Sequence, residues 1–317
     1  MTRARFAAGF ALTLGLLAAQ DTQVITLPAP PGAAAGQPSG HATTLAHTRG
    51  LLWKATSGAT TVYLAGSLHF GSEDMYPLPQ EMEDAFQASS VLVIEVDPSG
   101  VTPSKVLSLV TTAGVYPPGD TLWNHVSGRT RSLLPAFAAQ QGLSAEMLSR
   151  LKPWAVNLML AAHMMQEEGM RPDLGIDMHF MGEAGTAKRI EALETVDQQM
   201  RALVETPESE NALSLEETVT DPERAKQMLG RMKAAWVAGD TAALEAVVFE
   251  DLRKTPESRK RLLDERNVSM TAAIARYLKG SEPCFVVVGS AHLLGKDGIV
   301  SRLTARGFSV KRVVPAN

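Results

Sequence analysis

One cysteine, Cys284, is present in 317 residues. No intrachain disulfide can form, and neither a redox pair nor a cysteine-based zinc knuckle can be built. Cys284 opens an apolar run, so it reads as an inert core thiol and not as a nucleophile. Any metal would have to use His, Asp, Glu or water. Aromatic residues are scarce at 5%, and the net charge is only −4. That combination offers neither a base-stacking platform nor a basic surface, so no nucleic-acid partner is expected. Also missing are His-Glu-x-x-His, a phosphate loop, a dinucleotide fingerprint and the Gly-x-Ser-x-Gly elbow of serine hydrolases.

Long apolar runs are lacking too, apart from Phe6 to Ala19. A spanning helix needs roughly 20 apolar residues, so this run is short for one. It follows Arg3 and Arg5 and ends in small residues ahead of Gln20-Asp21-Thr22, the pattern of an export signal. Residues 1–19 are therefore expected to be a signal peptide, and the protein periplasmic or secreted; a retained anchor would keep it near a membrane. Residues 20–47 are rich in Pro, Gly and Ala and read as a flexible linker. The folded domain is expected over 48–317. With 45% hydrophobic residues the chain can bury a substantial core.

What is present is a repeated motif. Val62-Tyr-Leu-Ala-Gly-Ser-Leu-His69 and Phe285-Val-Val-Val-Gly-Ser-Ala-His292 are each an apolar run followed by Gly-Ser-x-His. The run predicts a buried strand, and the glycine is expected to permit a sharp exit from it. Each histidine would then stand just beyond a strand end, where α/β proteins place ligands. Val91-Leu-Val-Ile-Glu95 ends a third apolar run with a carboxylate. Burying that carboxylate is costly unless it is paired or metal-bound. Asp97 is the alternative acid from the same strand end.

Around these runs, a hairpin is predicted over Leu51–Gly66, a helix after Pro79 and a strand over Lys188–Leu193 ending at Glu194. Residues 103–185 read as largely helical, with Lys152-Pro153-Trp154 opening a long apolar helix that closes near Gly169. Two further helices are expected between Asp221 and Glu250. Asp264–Lys279 reads as a helix buried along Val268, Ala272, Ala275 and Leu278. A strand, a helix and a strand follow from Cys284 to Val313. The fold class is thus α/β (α+β): strands from both chain ends form a central sheet, and an insertion over about 103–185 caps the site.

Weaker candidates have simpler explanations. Glu191 and Glu194 could be solvated, Asp177 could cap a helix, and His179 could lie on the surface. Arg266 and Asn267 could hold an anionic or carbonyl group, but a helical arginine normally faces water. His163, among Met159, Met164 and Met165, reads as core or lid packing.

The ordered set Gly66-Ser-Leu-His69, Val93-Ile-Glu95, Lys152-Pro-Trp154, Gly175-Ile-Asp177, Leu193-Glu194 with Gln199, Glu265-Arg-Asn267 and Val288-Gly-Ser-Ala-His292-Leu-Leu-Gly295 resembles the TraB/GumN family, which includes PrgY and the Tiki proteins. The resemblance implies a fold like the erythromycin esterase and ChaN group. It also implies a metal-dependent protease that uses the two histidines and a glutamate with Mn or Co. Carried onto this chain, His69, Glu95 and His292 are the metal candidates. Glu95, Glu194, Arg266 and Asn267 are the catalytic ones. His and carboxylate ligands also admit Zn or Fe. The expected activity is an exported metal-dependent hydrolase acting on a peptide or protein. A metal-free esterase with His69 as general base, and a binding protein for a peptide or haem-like ligand, are the alternatives.

Overall fold

A computed structural model describes residues 48–314 apart from 59 and 97–102. The expected signal peptide, the whole of the expected linker, and Asp97 lie outside the described residues. Among the described residues six strands form one sheet: β1 (Leu52–Thr56), β2 (Thr61–Ser67), β3 (Val91–Val96), β4 (Arg189–Glu194), β5 (Cys284–Gly289) and β6 (Ser309–Val313). Their spatial order is β4-β3-β5-β2-β1-β6. β1 and β2 make the expected antiparallel hairpin, and β6 pairs antiparallel with the other side of β1. The remaining pairings, β2 with β5, β5 with β3 and β3 with β4, are parallel.

Parallel strands covered on both faces should be continuously apolar. β5 obeys this and β3 departs from it only at Glu95; every residue of both is buried. β4 is mostly exposed and closes the edge with Arg189 and Glu191, charges that discourage further pairing. The consequence for function is directional. Ser67, Val96, Glu194 and Gly289 finish four parallel strands, so the segments that follow them emerge along one edge of the sheet.

Helices fill the crossovers. α1 (Gln80–Gln87) joins β2 to β3, opening after Pro79 as proline's fixed φ favours. Between β3 and β4 come α2 (Pro103–Ala113), α3 (Gly128–Gln140), α4 (Ala145–Ser149), α5 (Pro153–Glu167) and α6 (Ile176–Ala184). A second helical region separates β4 from β5: α7 (Val196–Val204), α8 (Glu208–Thr220), α9 (Pro222–Val237), α10 (Thr241–Leu252), α11 (Pro256–Arg259), a π-turn over Lys260–Asp264 and α12 (Glu265–Tyr277). α13 (Ser290–Leu293) and α14 (Ile299–Ala305) follow β5. Helices thus lie on both sides of β4 in the chain, the expected insertion before it and a second region over Val196–Tyr277 after it.

Packing ties these helices to the sheet. Phe86 of α1, Phe180 of α6 and Phe285 of β5 form an aromatic cluster with ring centroids 4.6–5.6 Å apart. Fully buried Trp236 of α9 donates its indole N–H to Gly66 O at 2.8 Å. α12 buries the expected face only in part: Ala275, and Leu278 just past its end, are buried, but Val268 is 48% exposed while Arg266, Asn267, Met270 and Ile274 are buried. Apolar periodicity mislocates the first turn because two of its inward residues are polar. Among the described residues no helix is long and apolar enough to cross a membrane.

Candidate functional site

Three of the parallel strand ends converge at Gly289. A methyl group built on Gly289 would lie 3.1 Å from Glu95 Oε1, 3.2 Å from His69 Nε2 and 3.7 Å from His292 Cδ2. Glycine here leaves a notch, and the expected pair of imidazoles and carboxylate surround it. All three side chains are buried. The reason for the glycine differs from the expected one. Gly289 has φ −51° and ψ 134°, which any residue adopts, so space and not conformational freedom is what the position requires. Gly66 is likewise no exit, because β2 continues through it to Ser67.

Each oxygen of Glu95 is engaged. Oε1 accepts from the Gly289 N–H; Oε2 accepts from Arg266 Nη2 at 2.9 Å and Gln199 Nε2 at 3.4 Å. The Arg266 guanidinium also binds Glu194 through Nε, at 3.0 and 3.1 Å, and through Nη2, and its Nη1 donates to Leu262 O at 3.0 Å. It is buried, contrary to the expectation that a helical arginine faces water. A cation in this position neutralises two buried carboxylates that would otherwise be prohibitive to hold. Burial alone would raise the Glu95 carboxyl, but His292, Arg266, His69 and the Gly289 N–H outweigh it and hold it near 2. Such a group is a stable anionic ligand and a weak base. Burial pushes the Glu194 carboxyl upward despite Arg266.

His292 is set up differently from His69. Burial pushes the His292 imidazole down to about 3 against the pull of Glu95, so the ring is neutral. Its Nδ1 stands 2.6 Å from Asn267 Oδ1, and Asn267 Nδ2 donates to Asp297 O at 3.0 Å. The amide thus presents its oxygen to the ring, which fixes the proton on Nδ1 and leaves Nε2 as a bare lone pair. That lone pair lies 3.6 Å from Glu95 Oε1. Two electron donors facing each other without a proton between them call for a cation.

The His69 Nδ1 lies 3.3 Å from Asp177 Oδ1, although not aligned as a hydrogen bond. Burial lowers the His69 pKa, but the charge and proximity of Asp177, with Glu95 assisting, raise it to about 9. Asp177 is itself held by the Ser67 hydroxyl, which donates to Oδ1 at 2.6 Å. It was expected to cap a helix. Instead, the cap position falls on Gly175, and Asp177 turns inward to orient His69. The motif Gly175-Ile-Asp177 was the available signal. Gln199, 1% exposed, moves into the site as well. His179 is half-buried against Glu83, at 2.9 Å. Cys284 is buried, and burial raises its thiol to about 11, in keeping with an inert role.

Would these residues suit a metal? Ligands about 2.0–2.2 Å from one ion sit some 3–4 Å apart, so His292 Nε2 and Glu95 Oε1 have the spacing of a ligand pair. The donor chemistry, neutral imidazole plus carboxylate, fits Zn, Mn, Co or Fe. His69 completes the set in type, since its Nε2 faces the same notch. Among the described residues, however, no three of these groups stand close enough to form an assembled metal-ligand cluster. Bringing in His69 requires loss of its proton, so ion binding there would be coupled to pH.

The TraB/PrgY/gumN family profile matches residues 51–312. The protein called "Uncharacterized protein YbaP" of Escherichia coli strain K12 is 28% identical over 242 residues, covering 76% of this chain and 87% of that protein. The protein of the same name in Shigella flexneri matches over the same shares. No solved structure matches, so the expected likeness to the erythromycin esterase and ChaN group stays an expectation.

Proposed function

Because the chain belongs to the TraB/PrgY/gumN family, whose motif residues meet around one notch, we propose that it is an exported metal-dependent hydrolase acting on peptide bonds. The observation that carries this reading is the His292 Nε2 standing 3.6 Å from Glu95 Oε1, beside the glycine notch that His69 also lines. In this reading His292, Glu95 and His69 hold the ion, which when bound would supply Lewis-acid polarisation of the scissile carbonyl and a more acidic water. Asn267 fixes the tautomer of His292, and Asp177 orients His69. Such outer partners usually matter 10–100-fold in affinity or activity. Arg266 locks Glu95 in place and balances its charge. Glu194, whose Oε2 accepts from Arg266 Nε, takes a proton from water and passes it to the leaving nitrogen. The hydroxyl adds to the carbonyl carbon, the C–N bond breaks, and an acid and an amine result.

The test uses protein purified without its leader, a diverse peptide library, Mn or Co, and His69→Ala and His292→Ala controls. Metal-stimulated cleavage that is lost in both variants supports the reading. Cleavage indifferent to chelator moves the protein to the metal-free esterase alternative. Equal cleavage by wild type and variants identifies a contaminant. Export is proposed from residues 1–19 and is checked by cell fractionation; cytoplasmic retention of the full chain would sink it.

A further inference from the structure

The two serines of the repeated motif, Ser67 and Ser290, are both buried at 1% exposure. A hydroxyl is held in such a place only where it finds partners. Ser290 gives its one proton to Ser67 O at 2.9 Å, across the parallel pair of β2 and β5. Gly66 makes room for that reach, since a methyl group there would stand 2.9 Å from Ser290 Oγ. The second serine thus joins two strand ends.

The first serine is spent differently. Ser67 closes β2 and pairs in register with Gly289, whose missing side chain makes the notch. Its hydroxyl makes two contacts with one residue, donating to Asp177 Oδ1 at 2.6 Å and accepting the Asp177 N–H at 3.2 Å. The direction is forced: a main-chain N–H can only donate, so the hydroxyl proton is left for the carboxylate. A grip on main chain and side chain together fixes where Asp177 sits and which way its carboxylate turns. Adjoining main chain reinforces it. Ile176 N donates to Leu68 O at 3.2 Å, and a methyl group on Gly175 would stand 2.5 Å from His69 O, so the start of α6 lies flat against Leu68 and His69. The same Asp177 Oδ1 lies 3.3 Å from His69 Nδ1. Asp177 is 19% exposed, so without this hold its carboxylate is free to turn to water. We infer that Ser67 is a positioning residue of the site: acting through Asp177, it fixes the His69 ring and so the direction of Nε2 in the notch. His292 takes its orientation from Asn267 instead, which leaves Ser290 to serve the sheet.

The part His69 plays in holding an ion rests on the reading proposed above, so one arm of the test uses no ion. Ser67→Ala, Asp177→Ala, the double variant and Ser290→Ala are compared, and urea denaturation gives the stability of each. If Ser67→Ala does not fold, Ser67→Cys replaces it, because a thiol is a weak donor. In the first arm, NMR of ion-free protein labelled with 15N-histidine follows the His69 ring nitrogens. Ser67→Ala and Asp177→Ala should each shift them, the double variant should shift them no further than Asp177→Ala, and Ser290→Ala should leave them in place. In the second arm, Co(II) affinity should fall about tenfold or more in Ser67→Ala and be retained in Ser290→Ala, although both lose a buried hydroxyl and both lose stability. Unmoved His69 resonances in Ser67→Ala overturn the inference. So does a double variant whose shift exceeds that of Asp177→Ala, since Ser67 would then act by another route, or a Ser290→Ala that matches Ser67→Ala in both arms. The expected shifts in a protein that binds no Co(II) uphold the role of Ser67 and overturn the metal reading.

Discussion

Adding one methyl group at each glycine of the repeated motif should have opposite effects, and the structure supplies the magnitudes. In Gly289→Ala the backbone is already in an ordinary region, so no conformational strain arises. The new Cβ would meet Glu95 Oε1 at 3.1 Å and His69 Nε2 at 3.2 Å, each a few tenths of an ångström short of comfortable contact. Those two side chains must retreat. Loss of unfolded-state entropy returns about 0.4–1 kcal/mol, so net stability should stay within about 1 kcal/mol of wild type. The candidate ligands, by contrast, are pushed off the notch and the notch is filled. Displacements of this order cost about ten- to a hundredfold in a positioned site, since about 1 Å costs roughly a hundredfold.

Gly66→Ala is the internal control. Its Cβ would meet Ser290 Oγ at 2.9 Å and Leu51 Cβ at 3.1 Å, which is packing and not the ion notch. Overpacking there should cost about 1–3 kcal/mol. Urea denaturation reads the stability, and Co(II) absorbance titration with peptide turnover reads the site. The expected pattern is a stable, inactive Gly289→Ala and a destabilised Gly66→Ala that keeps its affinity for the ion. If Gly289→Ala retains wild-type ion affinity and turnover, the notch is not the site.

Other perturbations probe the surroundings. Arg266→Met strands two buried carboxylates and should lower unfolding free energy by about 3–5 kcal/mol, with Glu194→Gln in the same background recovering part of the loss in urea melts. Asn267→Ala frees the His292 tautomer and should weaken ion affinity about 10–100-fold, read by competition with a chromophoric chelator; unchanged affinity would remove Asn267 from the site's support. Far from the notch, Asp251 is 1% exposed, and among the described residues neither carboxylate oxygen has a hydrogen-bond partner, Arg224 Nη2 standing 3.9 Å from Oδ1. Burial, with Glu217 nearby, raises its carboxyl from 3.8 to about 7. The folded state therefore binds a proton that the unfolded chain has released, so stability falls as pH rises from about 4 to 7 and is flat above. Asp251→Asn should be more stable than wild type at pH 8, by at most about 4 kcal/mol, and the gap should close toward pH 4; a gap independent of pH would refute the assignment.

The repeated motif shows what a sequence displays and what it withholds. Apolar runs ending in Gly-Ser-x-His announced two buried strands, and β2 and β5 are neighbours in a parallel pair. Pattern alone could not give their register. Ser67, not Gly66, pairs with Gly289, so the two copies run one residue out of step. His69 consequently sits on a loop facing Asp177, while His292 rides a short helix against Asn267. Two histidines in matching words thus acquire opposite proton affinities. The residues that create this difference come from α6 and α12, far away in the chain. Burial of Arg266 was illegible for a related reason: a polar residue on a helix is read as solvent-facing unless its partners are known, and Glu95 and Glu194 lie 171 and 72 residues away. Local patterns specify which segments enter the sheet, whereas the chemistry at its edge is set by pairs of polar groups whose mutual neutralisation only tertiary contact reveals.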